Sequence, residues 1–109
     1  LIGWQKASTL MMLGEKVSAI DAEKMGMIYK VLEDENFLNE AIKIANTLAS
    51  MPTQGLALTK EALNKSFSNS IEQQLNVEDA LQRQASETYD YKEGVQAFLE
   101  KRKPLFKGE

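Results

Sequence analysis

Aromatic and basic side chains that could hold an anionic ligand cluster near the end of the chain, in DYKEGVQAFLEKRKPLFKGE, residues 90–109. Phe98 is followed three positions later by Lys101, and Arg102 and Lys103 come next. On a helix, residues three apart share a side. A Lys beside an aromatic ring suits a phosphorylated heteroaromatic molecule such as an adenine nucleotide, because the ring stacks and the ammonium meets the phosphate. The alternative is that these cations only complement the dipole of the last helical turn.

Two other residues stand out in the second half of the chain. Gly94 lies inside the predicted last helix, where Gly costs about 1 kcal/mol relative to Ala, so either something approaches that backbone closely or a first-turn Gly is tolerated. Glu78 falls on the apolar face of the preceding predicted helix. For Glu78 we expect a structural ion pair, with Arg83 or with a Lys of another helix, or else a hydrated interface, rather than a catalytic acid.

The composition excludes several kinds of site. The chain has no Cys and no His, so it lacks disulfides, thiolate metal sites and the commonest general base. We find no Gly-rich phosphate loop, metal-ligand spacing or nucleophile elbow, and therefore predict no complete catalytic set and no metal site in this chain. The net charge of -3 argues against nucleic acid as a partner. No apolar run approaches the roughly 18 to 20 residues that span a bilayer, and no signal segment is visible, so we expect no membrane partner and a cytoplasmic location.

The first third of the chain predicts two short helices and a strand. The pattern of residues 2–13 is helical, with Gly14 as its C-terminal stop. Ser18 heads a second helix that Gly26 ends. The segment MIYKVL, residues 27–32, is rich in β-branched and aromatic residues and predicts one strand. Because a single strand cannot pair with itself, we expect that this chain is part of a longer protein.

The rest of the chain predicts helices only, so the predicted fold class is mainly α. Helices are predicted over residues 37–50, 53–67, 71–88 and 91–103. Ser70 and Gln73 form a capping box at the start of the third of these. Asp90, read as an N-cap, forms a weaker capping box with Glu93 at the start of the last helix. Pro104 should end that helix.

Three stretches with recognisable motifs cover nearly the whole chain: GWQKASTLMMLGEKVSAIDAEKMGMIYKVL, ASMPTQGLALTKEAL and DYKEGVQAFLEKRKPLFKG. The most specific pattern is the ending, D-x-x-E-G-x-x-A-F-x-E-K-R-x-P-x-F-x-G. Together they resemble the C-terminal portion of the crotonase, or enoyl-CoA hydratase/isomerase, superfamily. LTKEALNKSF and ALQRQASETYDYKEG are similar to the branch that isomerises ring-epoxidised phenylacetyl-CoA in phenylacetate degradation.

The resemblance implies a division of the chain and a limit on its activity. Residues 1–35 would be the C-terminal end of a ββα spiral core, with its one short strand, and residues 36–109 the α-helical region that builds trimers, commonly paired as hexamers. The family's oxyanion hole and its Glu or Asp acid/base residues lie in the N-terminal region. The resemblance therefore implies that this chain lacks them and is inactive alone.

The resemblance also implies a role for the tail. In the family, a Phe and a Lys of the last helix approach the adenine and phosphate end of CoA bound by a neighbouring subunit, and Phe98 and Lys101 match them. Arg102 and Lys103 are the next candidates. The CoA thioester would be a substrate, with no cofactor. The alternative is a non-enzymatic helical interaction module.

The predicted loss of the spiral core has a consequence for the surface of the chain. Apolar residues that would pack against that core should be exposed, notably around Leu10, Met11 and Val31. Large exposed apolar patches on soluble proteins mark interaction surfaces. We therefore expect this chain to associate with itself.

Overall fold

The computed structural model describes residues 1–109, and all of its regular secondary structure is helical, which confirms a mainly α fold. The helices are α1 (Trp4–Leu13), α2 (Ala19–Met25), α3 (Phe37–Ala49), α4 (Thr53–Ser66), α5 (Ile71–Glu87) and α6 (Tyr89–Leu99). The chain divides into two compact units, Leu1–Ala41 and Ile42–Glu109. The assignment of residues 1–35 to a spiral core and of residues 36–109 to an assembly region stays a prediction.

Local signals set the ends of α1 and α2. Gly14 takes the left-handed conformation, with φ 64°, and its N–H donates to the C=O of Leu10 at 3.0 Å. The Ser18 hydroxyl accepts the N–H of Asp21 at 3.1 Å and caps α2, which Gly26 ends with φ 77°. These caps confirm the predicted helix signals.

The strand predicted over residues 27–32 is not formed. Residues 27–29 are bends, and residues 30–33 have no regular structure. The N–H of Val31 donates to a side chain instead, the carboxylate of Glu23, at 3.0 Å. A strand needs a second strand to receive its backbone hydrogen bonds, and this chain has none. The prediction was therefore wrong for the chain as it stands.

In the second unit, α5 contacts both α4 and α6. The predicted capping box begins α5: the Ser70 hydroxyl accepts the N–H of Gln73 at 3.3 Å, and the Ser70 N–H donates to the Gln73 side chain at 2.9 Å. The Gln74 side-chain amide donates to the C=O of Ala62 at 3.1 Å, which ties α5 to α4. The prediction of this capping box is confirmed.

The last helix, α6, differs from the prediction at both ends. Its N-cap is Thr88 and not Asp90, because the Thr88 hydroxyl accepts the N–H of Tyr91 at 3.1 Å. The helix ends at Leu99, well before residue 103, because Lys101 takes the left-handed conformation with φ 54°. The chain therefore turns before Pro104 can act as the stop.

Very little of this chain is buried. Only Ala97 and Asp90 are buried, at 1% and 2% exposure. Large apolar side chains are exposed on several helices, among them Trp4, Met11, Phe67, Ile71 and Phe98. Of the residues predicted to face outward in the first unit, Met11 is exposed, while Leu10 and Val31 are half-buried. None of the six helices has the length and apolar character needed to cross a bilayer.

Candidate functional site

The predicted ligand-binding pair, Phe98 and Lys101, lies at the C-terminal end of α6. Phe98 is the last helical residue but one, and its side chain is 82% exposed. Lys101 follows the helix, is exposed, and has no side-chain partner. Its backbone N–H donates to the C=O of Phe98 at 3.2 Å. The two residues are therefore joined by the turn that ends the helix, and not by a continuing helix as predicted.

The turn at Lys101 has the geometry of a Schellman motif. The N–H of Lys101 bonds to Phe98, and the N–H of Arg102 donates to the C=O of Ala97 at 3.0 Å. The position that Lys101 occupies is usually Gly, since a side chain at positive φ costs about 1 to 2 kcal/mol. An exposed, unpaired Lys is thus held in an unfavourable conformation, which is the kind of strain that often accompanies function.

Arg102 is not free to bind an external anion. Its Nη1 and Nη2 donate to the two carboxylate oxygens of Glu93, at 2.6 and 2.9 Å, and its Nε donates to Glu100. The hydrogen bonds from Arg102 and from the N–H of Leu105 lower the pKa of Glu93 to about 2. In turn, the carboxylates of Glu93 and Glu100 raise the pKa of Arg102. Arg102 therefore acts as a structural cation.

The two remaining cations after α6 differ in whether their side chains have a partner. The Lys107 ammonium lies 4.1 Å from the centroid of the Tyr89 ring, in a cation–π contact. Lys103 is exposed and, like Lys101, has no side-chain partner. The segment that follows α6 thus offers two available ammonium groups, at positions 101 and 103.

Asp90, which was expected to cap the helix, holds the end of the chain instead. Its buried carboxylate accepts the N–H groups of Lys107 and Gly108 at 2.7 and 2.8 Å. The backbone N–H of Asp90 donates to the C=O of Glu109 at 3.0 Å. We call residues 102–109, with the Asp90 and Glu93 carboxylates that hold them, the C-terminal latch.

Two glycines lie against the end of the chain or within it, and only the second of them, Gly108, leaves no room for a side chain. A β-carbon added to Gly94 would lie 3.6 Å from the Phe106 ring, so the group that approaches this backbone is the chain's own Phe106. Gly108 has φ 80°, and a β-carbon there would lie 2.5 Å from the hydroxyl oxygen of Thr53. That contact joins the last residues of the chain to the start of α4. The end of this chain is therefore an ordered segment rather than a frayed tail.

Glu78 does not form the predicted ion pair with Arg83. Arg83 pairs with Asp79, at 3.0 Å, four residues away on the same helix. Glu78 is exposed and accepts a hydrogen bond from the Gln74 side chain at 2.9 Å. An exposed carboxylate needs no ion pair, so this position requires no structural explanation beyond its place on the helix surface.

An apolar groove of about 430 Å³ lies beside Phe98. It is lined by Pro52, Gly55, Ala85, Thr88, Asp90, Tyr91, Gly94, Val95, Phe98, Leu99 and Phe106. The carboxylate of Asp90 is already occupied by the latch, so the groove presents mostly apolar surface. This end of the second unit can therefore offer an aromatic ring, an apolar groove and two free ammonium groups, but no nucleophile paired with a base. No group of three or more acidic residues could hold a metal ion.

Comparisons with known proteins match this chain along its whole length. A sequence model described as enoyl-CoA hydratase/isomerase matches residues 1–109. The chain is 43% identical over 106 residues to the 1,2-epoxyphenylacetyl-CoA isomerase of Escherichia coli (strain K12), which covers 97% of this chain and 40% of that protein.

Solved structures give the same result. The enoyl-CoA hydratase subunit I of Geobacillus kaustophilus HTA426 superposes with a TM-score of 0.94 at 35% identity, over 100% of this chain and 42% of that one. The enoyl-CoA hydratase of Bacillus anthracis gives a TM-score of 0.90 at 34% identity, again over 100% and 42%. The chain thus spans about two fifths of the length of the proteins it matches, and it covers their C-terminal part.

Proposed function

This chain belongs to the enoyl-CoA hydratase/isomerase family, and on that premise we propose that it is the C-terminal region of an acyl-CoA hydratase or isomerase. In this proposal it contributes to subunit assembly and contacts the adenine and phosphate end of CoA. The acid/base residues and the oxyanion hole belong to the rest of the enzyme, so the chain alone is inactive.

The observation that carries the proposal is that the Phe98 ring is exposed and the Lys101 ammonium group is unpaired. Phe98 has a side chain that is 82% exposed, and its C=O accepts the backbone N–H of Lys101. Lys101 has an unpaired ammonium group and takes positive φ in this turn. Arg102 is paired with Glu93 and Glu100, and Lys107 lies over the Tyr89 ring, whereas the ammonium groups of Lys101 and Lys103 are left available. Phe98 can stack on adenine and Lys101 can meet a phosphate. Lys103 is a second candidate, while Arg102, paired with Glu93, drops out.

The amount of exposed surface supports a role in assembly. A compact monomer of 12.2 kDa exposes about 6,100 Å², and two separate small domains of the same total mass about 7,300 Å². This chain exposes 9191 Å². The difference of about 2,000 to 3,000 Å² is comparable to the surface buried in large protein interfaces. We propose that the rest of the enzyme and neighbouring subunits cover it, as trimers or hexamers.

For the acyl group, the relatives support two proposals. The similarity to a 1,2-epoxyphenylacetyl-CoA isomerase favours a ring-epoxide substrate, and the similarity to enoyl-CoA hydratases favours an enoyl thioester. In both cases the substrate is a CoA thioester. The cytoplasmic location stays a prediction.

The proposal is tested with two substrates in the complete enzyme that contains this chain. Lys101→Ala should raise KM for the acyl-CoA about fivefold, which corresponds to about 1 kcal/mol for one charge-assisted contact. The same acyl group on pantetheine lacks the adenine and phosphates, so its KM should not change. An equal change in KM for both substrates, or no change for either, would show that Lys101 does not contact the adenine and phosphate end of CoA.

The exposed apolar residues also fit a second function, a non-enzymatic interaction module. The two functions differ in what the complete protein does. A module would give no turnover of crotonyl-CoA or of a ring-epoxide thioester in any form. The enzyme proposal expects turnover by the complete protein and none by the isolated 109-residue chain.

A further inference from the structure

We infer that Glu93 is a positioning residue, whose carboxylate fixes the turn that carries Lys101 and so holds its ammonium in place for the ligand phosphate. The inference rests on the proposed function, in which Lys101 contacts CoA. Glu93 lies on α6 about two turns before Lys101, and its side chain is only 10% exposed.

The contacts of Glu93 lie just after the turn. Its two carboxylate oxygens receive Nη1 and Nη2 of Arg102, the residue directly after Lys101, at 2.6 and 2.9 Å. One of those oxygens also accepts the N–H of Leu105 at 2.8 Å. A bidentate pair fixes direction as well as distance. The chain that leaves Lys101 is therefore held at two points along its first few residues.

The conformation of Lys101 needs such an anchor. With φ 54° it is the one residue other than Gly at positive φ in this chain. A side chain persists in that region only where the surroundings determine the backbone independently. The pairing of Glu93 with Arg102 supplies that constraint next to Lys101. Loss of the Glu93 carboxylate should allow the turn to relax and the ammonium to move.

Glu93 also determines whether the positive charge of Arg102 is available to a phosphate. With Glu100, it neutralises the guanidinium of Arg102, the residue that follows Lys101 in the chain. Removal of Glu93 would release part of that positive charge. The positioning role predicts weaker CoA binding after this removal, whereas a purely electrostatic role predicts tighter binding.

The far end of the latch has its own anchor. Asp90 holds the N–H groups of Lys107 and Gly108, and Phe106 lies on Gly94. Loss of the Glu93 carboxylate therefore leaves residues 106–108 attached. The effect should be confined to the turn at Lys101, which makes Glu93 a usable test position.

The test compares Glu93→Ala with a matched control in the complete enzyme. Glu93→Ala should raise KM for acyl-CoA about as much as Lys101→Ala does, on the order of fivefold, with kcat and the KM for acyl-pantetheine unchanged. Asp79→Ala removes another carboxylate–Arg pair, on α5, that does not touch the latch, and it should leave KM unchanged. If Glu93→Ala yields little folded protein, Glu93→Gln keeps an acceptor for Leu105 and should show a smaller increase of the same kind.

The double variant separates positioning from general stability. In the Lys101→Ala background, Glu93→Ala should add nothing, because the group it positions is gone. Independent effects in the double variant, an unchanged KM or a lowered KM for Glu93→Ala would each overturn the inference while the proposed function stands. If Lys101→Ala itself leaves KM unchanged, the proposed function fails, and this inference fails with it.

Discussion

Replacing Lys101 with Gly should make the end of α6 more stable, although it removes the side chain proposed to bind CoA. Lys101 has φ 54° in the Schellman turn, a conformation that costs an L-residue about 1 to 2 kcal/mol and Gly almost nothing. Gly also gains about 0.4 to 1 kcal/mol of conformational freedom in the unfolded chain, which offsets part of that gain. With the middle of each range, about 1.5 and about 0.7 kcal/mol, the net stabilisation should be about 0.8 kcal/mol.

Amide hydrogen exchange measures this stability at the turn itself. The reporter is the N–H of Arg102, which bonds to the C=O of Ala97 at 3.0 Å across the turn. After correction for the intrinsic rate of each sequence, Lys101→Gly should slow its exchange about two- to fivefold, as follows from the net free energy.

Two controls bracket the prediction. Lys101→Ala removes the ammonium but keeps a β-carbon at positive φ, so the exchange rate of the Arg102 amide should not change. Lys103→Gly places the same flexible residue outside the left-handed position and should give no protection. If Lys101→Gly leaves the exchange unchanged or faster, Lys101 is not strained, and the argument that strain marks it as functional is refuted.

Three further predictions concern the latch. Gly108→Ala should destabilise the second unit by about 1 to 3 kcal/mol, because it combines positive φ with a β-carbon 2.5 Å from the Thr53 hydroxyl oxygen. Thermal unfolding of the complete enzyme measures this loss of stability. The control is Gly55→Ala, whose added β-carbon would meet only ordinary contacts. Because the hydrogen bonds from Arg102 and from the N–H of Leu105 lower the pKa of Glu93 from 4.5 to about 2, the stability that these contacts contribute should be complete above pH 4.5 and lost as the pH falls towards 2. The chemical shift of the Leu105 N–H should follow that titration, and Arg102→Met should move its midpoint upward; a midpoint that stays in place would contradict the pairing. Asp90→Asn leaves one oxygen to receive the Lys107 and Gly108 N–H groups, so exchange at both amides should speed up by about tenfold or more, while Asp79→Asn should not affect them.

Features with local causes could be predicted from the sequence. Gly14 and Gly26 ended their helices as expected, and Ser70 with Gln73 formed its capping box. Each of these signals depends on residues a few positions apart, and the backbone conformation follows from the side chain alone.

Features with distant partners could not be predicted in the same way. The segment 27–32 has a strand composition, but the strand that would pair with it is not in this chain. Asp90 and Thr88 are both good N-cap residues, and the choice between them depends on the N–H groups of the tail, which need the Asp90 carboxylate. The left-handed turn at Lys101 could not be predicted, because the position is not occupied by Gly, the residue that usually marks such a turn.

The candidate site was found by resemblance more than by pattern. Phe98 and Lys101 alone were compatible with an ordinary charged helix end. The terminal motif singled them out, and the structure then gave several residues of that motif a role in the latch, including Asp90, Glu93 and Gly108. The acid/base chemistry could not be located, since this chain has no His or Cys and spans about two fifths of its relatives.

A structure of the complete enzyme with a CoA thioester bound would test whether this chain holds the adenine and phosphates of CoA. We expect the adenine ring against the exposed face of Phe98 and a phosphate oxygen within about 2.7 to 3.0 Å of Lys101 Nζ. Arg102 should remain paired with Glu93. Adenine and phosphates bound away from both Phe98 and Lys101 would contradict the proposed role of this chain in holding CoA.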